Sequence, residues 1–134
     1  MFHETTQCFT SETEVAAAAG LVDLSTVYLH GEYDEIALEV GNTGAGALSN
    51  FTMLVQATAS SGWATLLTGA AWATAAGLLR AFSAAINTLA APVAPATENA
   101  ETVLLDVGPV HAVKFQADSA GDTTIVLRGQ ASKK

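Results

Sequence analysis

The clearest pattern in the chain is an alternation of apolar and polar residues on both sides of a Gly/Asn-rich turn. The segment 36–57 reads IALEVGNTGAGALSNFTMLVQA. Its apolar members fall at every second position, at Ile36, Leu38 and Val40 and then at Phe51, Met53, Val55 and Ala57. A period of two is typical of a half-buried strand, because successive side chains of a strand point to opposite faces. The segment therefore predicts a β-hairpin or two adjacent strands of a sandwich.

The last third of the chain repeats this alternation. Residues 102–107, 111–117 and 123–128 alternate in the same way, and turn residues such as Gly108 and Pro109 separate them. Weaker alternation at 21–29 and 63–67 adds two further candidates. About six to eight short strands at regular spacing predict an all-β fold, here a single antiparallel β-sandwich.

The segment 72–90 fits two structures. Apolar residues recur there at helical spacing, at Ala75, Leu78, Leu79, Phe82, Ile86 and Leu89. Gly77 lies in the middle of that pattern and costs a helix about 1 kcal/mol relative to Ala. The rival interpretation is a strand over 77–82 followed by a loop that ends at the prolines of 92–95. Periodicity leaves both open.

The first twenty residues differ in composition from the rest. They are polar and acidic at first, and a soft apolar run then ends at Gly20. This composition predicts an extended N-terminal arm over 1–20 that becomes ordered on a neighbouring molecule, with residues 21–134 as the sandwich domain.

Five apolar residues are candidates for contacts with other molecules. Three lie in the predicted arm and two are the tryptophans: Phe2, Phe9, Val15, Trp63 and Trp72. Aromatic residues are enriched at the centres of interfaces, but in a small sandwich burial in the core is the competing interpretation for both tryptophans.

Composition limits the classes of partner. The chain of 134 residues has a net charge of −8, contains 27 alanines and has only 13% charged residues, so its surface is weakly hydrated. Such a surface favours oligomers or packed assemblies. No Lys or Arg precedes Arg80, and this acidic balance excludes nucleic acid and anionic membranes as partners. The single cysteine, Cys8, cannot form an internal disulfide, which indicates folding in a reducing compartment.

No motif indicates catalysis or a cofactor. The loop 41–46 lacks the order of a dinucleotide fingerprint and the lysine of a phosphate-binding loop, so we expect its glycines to adopt positive φ angles. The densest set of potential ligands is His30, Glu32, Asp34 and Glu35, which lacks calcium-loop spacing and predicts a solvated acidic turn. The three histidines are scattered, and no G-x-S-x-G is present. We therefore expect a protein without enzymatic activity, metal or cofactor.

Several segments resemble small β-sandwich structural proteins of tailed-phage virions. E-V-G-N-T-G at 39–44 precedes A-L-S-N-F-T-M-L-V-Q at 47–56, and the likeness continues in T-L-L-T-G at 65–69, L-L-D-V-G at 104–108, V-K-F-Q-A at 113–117 and T-T-I-V-L-R-G at 123–129. The resemblance covers residues 35–130. It implies strand and loop rather than helix over 72–82. It identifies no functional residues in this chain.

This resemblance implies a structural role in the virion, which is assembled in the host cytoplasm. We expect a capsid decoration (cement) protein that bridges neighbouring subunits of the major capsid protein, as a homo-oligomer and preferably a trimer. In that role the arm would reach across the seam between capsid subunits.

The alternative expectation is a tail or fibre component, or a surface module that binds carbohydrate or a receptor. It requires solvent-facing aromatic residues near loops, for which Tyr28, Tyr33 and Trp72 are the candidates.

Overall fold

The chain folds into nearly continuous β structure. The computed structural model describes residues 6–75, 77–82, 86, 89 and 98–133. Its strands are β1 (Thr6–Val15), β2 (Val22–Tyr28), β3 (Glu35–Asn42), β4 (Leu48–Gln56), β5 (Trp63–Thr68), β6 (Leu78–Arg80), β7 (Asn99–Asp106), β8 (Ala112–Ser119) and β9 (Thr123–Ser132). A 3-10 helix at Gly69–Ala73 follows β5.

The strands form two antiparallel sheets that enclose one core. Sheet I has the order β1-β9-β3-β7-β6, and sheet II has the order β2-β8-β4-β5. The inward residues follow the period of two: Ile36 and Leu38 are buried in sheet I, and Val113 and Phe115 are buried in sheet II. The predicted all-β sandwich is confirmed, because this alternation matches the burial of each strand.

The two strands of the central alternating segment do not pair with each other. β3 is hydrogen-bonded to β7 on one side and to β9 on the other along its whole length, so no edge remains for β4. β4 lies in sheet II, between β5 and β8. The hairpin interpretation is therefore wrong: β3 and β4 are consecutive strands of the sandwich that belong to different sheets. The hairpin of this region is β4–β5, which pairs Gln56 with Trp63.

The described part of 72–90 is not a long helix. Trp72 lies in the short 3-10 helix, and β6 pairs with β7. Gly77 has a φ angle of +90°, which breaks helical geometry, and its carbonyl oxygen accepts a hydrogen bond from the Asp106 amide at 2.7 Å. Residues 83–85, 87–88 and 90–97 of the predicted helix or loop lie outside the described residues.

The segment predicted to be an arm contributes a strand to the sandwich. β1 pairs with β9 over ten residues, from Thr6 opposite Ser132 to Val15 opposite Thr123. Beyond β1, the Ala17 amide donates to the Asp122 carboxylate at 2.8 Å. Residues 6–15 are therefore an extended edge strand on the chain's own sheet. Contact of residues 1–20 with a neighbouring molecule stays a prediction.

The loop after β3 uses its glycines differently from the expectation. Positive φ angles occur at Gly31, Gly69 and Gly108, for example, but at no glycine of 41–46. A Cβ atom on Gly46 would instead overlap the backbone of Gly121. The glycines of this loop are needed for a close approach of two backbones, and the expectation of positive φ is wrong.

Candidate functional site

Two of the five predicted contact residues are buried in the chain's own core. Val15 and Trp72 are each 1% exposed, so neither side chain can touch another molecule in this conformation. Trp72 packs against the rings of Phe51 and Phe82, and its indole N–H donates to the Phe51 carbonyl oxygen at 2.9 Å. Trp72 is an anchor of the core, because a buried indole needs both apolar contact and an acceptor.

The other three predicted contact residues have different positions. Phe9 is half-buried and stacks on Phe115 with a centroid separation of 6.5 Å. Trp63 is half-buried on the outer face of sheet II. Phe2 lies outside the described residues.

Tyr28 and Trp63 lie on the same row across sheet II. Val113 of β8 points into the core, so its neighbours Ala112 and Lys114 lie on the outer side of the strand, where Ala112 is covered by surrounding groups and is 0% exposed. The register places Tyr28 opposite Ala112, Ala112 opposite Gln56, and Gln56 opposite Trp63. We call these four residues the aromatic row. Its two ends are ring side chains on the two edge strands of the sheet.

At the Tyr28 end the row continues into a cluster of three rings. The Tyr28 ring lies 6.1 Å from the His30 ring and 5.8 Å from the His111 ring, and the two imidazoles are 5.3 Å apart. Tyr28 is 50% exposed, and His30 is also exposed. The rings therefore form a surface that solvent can reach.

The backbone beneath this ring cluster is held by hydrogen bonds. The amides of Leu29 and His30 both donate to the His111 carbonyl oxygen, at 2.8 and 2.9 Å, and the Gly31 amide donates to Val110. His30 has a φ angle of +53°, which is uncommon for a residue with a side chain. These hydrogen bonds hold the turn in this conformation, so the backbone that carries the rings is well defined.

At the Trp63 end a cation lies against the indole. The Lys114 ammonium is 4.6 Å from the Trp63 ring centroid, within the range of a cation–π contact. Polar contacts also lie on this outer face: Gln116 donates to Asp23 at 2.7 Å, and Gln56 donates to the Ser61 carbonyl at 2.8 Å.

The outer face of sheet I carries a charge cluster and an apolar patch. Arg128 donates from both terminal nitrogens to the Glu98 carboxylate and from one of them to Glu39, and these hydrogen bonds, chiefly those to Glu98, raise the pKa of Arg128 above its ordinary value. Nearby, Leu79 is 57% exposed and Leu104 is 36% exposed. The two leucines line a shallow cavity of about 230 Å³ together with Ala37, Gln130 and neighbouring residues. We call Leu79, Leu104 and Ala37 the leucine patch.

In the part of the chain that is described, the acidic residues of the surface do not form a metal-binding site. A cleft of about 550 Å³ between the end of β1 and the start of β9 is lined by residues that include Glu14 and Asp122. Among the described residues, no three His, Cys, Asp or Glu side chains are grouped so that they could hold a metal ion. That statement covers the predicted acidic turn of His30, Glu32 and Asp34. Within the same residues, no helix is long and apolar enough to cross a membrane.

The fold defines the chain as a two-sheet antiparallel β-sandwich. No known protein family matches its sequence, and no curated protein does. Solved structures with a similar fold include the SPBc2 prophage-derived protein YomS, which is 10% identical over 98% of this chain and 97% of that chain, with a TM-score of 0.47.

Two further solved structures are similar to the chain. A chain of the infectious bursal disease virus Gx strain is 14% identical over 96% of this chain and has a TM-score of 0.51; the matched part is 33% of that chain. A structure of Bacillus endospore appendages, described as a family of disulfide-linked pili, is 9% identical over 99% of this chain and 93% of that chain, with a TM-score of 0.42. At these identities the likeness concerns the fold alone.

Proposed function

We propose that the chain is a structural protein of a virion, specifically a capsid decoration (cement) protein of a tailed phage. The observation that carries the proposal is the leucine patch, an exposed apolar surface on a rigid sheet. The resemblance of residues 35–130 to phage sandwich proteins and the low content of charge support it. In this role the protein needs no catalytic group.

The proposed mechanism is the burial of apolar surface at repeated sites. Complete burial of a leucine side chain contributes roughly 1.5–3 kcal/mol, so Leu79 and Leu104 give one copy a modest affinity for the major capsid protein. A homotrimer presents three such patches and gains avidity from simultaneous docking. Because only the assembled shell carries neighbouring docking sites, the bound protein stabilises the shell by mass action.

The leucine patch can be tested by binding to capsid shells. We expect the double variant Leu79→Ser with Leu104→Ser to bind purified shells at least about tenfold more weakly, which equals about 1.4 kcal/mol, in a co-sedimentation assay. Leu66→Ser is the matched control, because Leu66 is 47% exposed but lies on β5 of the other sheet. All three leucines are exposed, so each change should alter stability by about 0.5 kcal/mol or less.

Two results would contradict the proposal. One is failure of the unaltered protein to bind shells, and the other is equal binding of the double variant and the Leu66→Ser control. Immunogold labelling of whole particles separates the head from the tail: gold on the tail would reject the decoration role and support the tail or fibre alternative.

A further inference from the structure

We propose that the aromatic row and the adjoining ring cluster form a binding site for a saccharide chain. This site lies on sheet II, opposite the leucine patch, and its existence does not depend on the decoration role. Of the three aromatic residues expected to contact a carbohydrate, only Tyr28 stays a candidate. Trp72 is buried, and Tyr33 packs against the core. The structure adds Trp63, His30 and His111.

The spacing of the rings suits an extended ligand. Tyr28 and Trp63 are separated by three interstrand steps, and each step between paired strands is about 4.8 Å, so their backbones lie about 14 Å apart. Both residues belong to one sheet whose strands are paired along this row. A ligand that touches both rings therefore has to lie across the strands, and a chain of several sugar units has the length to do so.

The chemistry of the face fits the two surfaces of a pyranose ring. The C–H groups of a sugar pack on aromatic rings, which present a large apolar area at a small cost in side-chain entropy. Its hydroxyl groups need donors and acceptors, which the imidazoles of His30 and His111 and the side-chain oxygen of Gln56 can supply. Saccharide sites combine these two elements, apolar rings and a few fixed polar groups.

The charge of the face is also favourable. The chain carries a net charge of −8, but the aromatic row is flanked by the cationic Lys114. On the strands of this face, Asp23 lies opposite Gln116 and Asp118 lies on β8 itself, so both are at least four residues, or about 13 Å, along the strand from Ala112; at the Tyr28 end, the turn after His30 carries Glu32 and Asp34. The four residues of the row thus carry no carboxylate of their own, so a neutral glycan meets no charge repulsion along it.

A saccharide explains this face better than a protein partner does. A protein contact would be centred on a contiguous apolar patch that excludes water. Here the two aromatic ends are separated by Gln56, whose amide N–H group is already fixed by the Ser61 carbonyl. Alternation of rings and hydrogen-bonding groups is suited to a ligand that is itself alternately apolar and polar.

The experiment is a glycan-array screen with the purified full chain, followed by calorimetric titration of the oligosaccharide that binds best. We expect Tyr28→Ala and Trp63→Ala each to weaken binding by about tenfold, since stacked rings contribute energy beyond their buried area. Tyr28→Phe keeps the ring and should bind within about threefold of the unaltered protein. Leu104→Ala, on sheet I, is the control for a change of exposed apolar surface and should bind normally.

Each other outcome overturns the proposal. No binding to any arrayed glycan, or unchanged binding in both alanine variants, rejects the site. Loss of self-association in Tyr28→Ala in the absence of glycan binding identifies the face as a protein contact instead. Circular dichroism of every variant checks that the fold is intact. The shell-binding assay reads out the leucine patch separately, so failure of the decoration role and failure of the saccharide site are distinguishable.

Discussion

At the scale of single residues, Asn42 is the polar group on which one end of the sandwich depends. It is fully buried, and its amide nitrogen donates to the carbonyl oxygens of Gly46 at 2.7 Å and Leu89 at 3.3 Å. Its side-chain oxygen accepts from the Gly44 amide and from the Thr123 hydroxyl. One side chain therefore satisfies donors and acceptors from the loop 43–47 and from β9, which would otherwise be buried without partners.

The same loop gives a matched pair of glycine variants. Gly46→Ala places a Cβ atom against the backbone of Gly121, which cannot move without opening the loop contact, and we expect it to lower the free energy of unfolding by about 1–3 kcal/mol. Gly41→Ala meets only the carboxylate of Glu98, the end of a flexible side chain. Its cost should be about 1 kcal/mol or less, the usual value of an exposed ion pair. Urea denaturation of both variants measures the difference.

Equal stability losses in the two variants would contradict this account. They would mean that the loop tolerates a side chain at Gly46, and that the close approach of the two backbones is not what requires glycine there.

At the scale of elements, β1 shows why the sequence of an edge strand can resemble that of an extended arm. Its inward positions alternate correctly, but Ser11 and Thr13 stand between the apolar Phe9 and Val15. Thr13 uses its hydroxyl to donate to the Leu24 carbonyl at 3.3 Å, so a polar residue serves at an inward position of the edge strand. Hydrophobic periodicity is weak there, because the rim of a sandwich needs less apolar surface than its centre.

The integration of β1 changes the expected effect of removing the predicted arm. Deletion of residues 2–20 would remove one of the two partner strands of β9 and would take Phe9 and Val15 away from the core, a loss of roughly 3–6 kcal/mol of burial. That amount is comparable with the total stability of a typical domain, so we expect a large fall in melting temperature in circular dichroism. Deletion of residues 2–5 is the control, because it keeps every residue of β1 and should melt close to the unaltered protein.

A 2–20 deletion that melts like the full chain would show that the sandwich is stable without β1. In that case the segment would be free to act as an arm that reaches another molecule.

At the scale of the whole molecule, the distribution of charge bears on assembly. The net charge of −8 makes copies repel one another, and the repulsion is screened by salt. A weakly hydrated surface rich in Ala, Thr and Ser acts in the opposite sense, since little hydration is lost when copies come together. We therefore expect self-association to strengthen as ionic strength rises.

The decoration proposal predicts a trimer in solution. Three copies of 13.7 kDa give a native mass of about 41 kDa, measured by light scattering coupled to size exclusion at low and at physiological salt. A stable monomer at both salt concentrations would contradict the homotrimer. Docking would then have to rely on single copies, and the leucine patch alone would have to supply the affinity.

The particular residues show how far the candidate site could be predicted. Tyr28 is a candidate for facing solvent, and Trp63 is a candidate either for a contact or for the core; Tyr28 is 50% exposed, Trp63 is half-buried on the outer face, and its contact with a partner stays a prediction. Their common row could not be predicted, because it depends on the register of four strands that are far apart in sequence. The same limit explains Trp72: its sequence neighbours do not indicate whether the short helix turns it toward Phe51 or toward solvent.

The amino-acid sequence by itself determined that the chain is all β and where most strands lie. The two alternating runs of 36–57 correspond to β3 and β4, and the predicted strands at 63–67, 102–107, 111–117 and 123–128 correspond to β5, β7, β8 and β9. Alternation is a local signal that burial on one face imposes directly on neighbouring residues. Only the tertiary structure decided that β3 and β4 belong to different sheets, that 6–15 completes sheet I, and that rings from β2, β5 and two loops share one face. Those outcomes depend on which distant edges are free to form hydrogen bonds, and no local pattern records that competition.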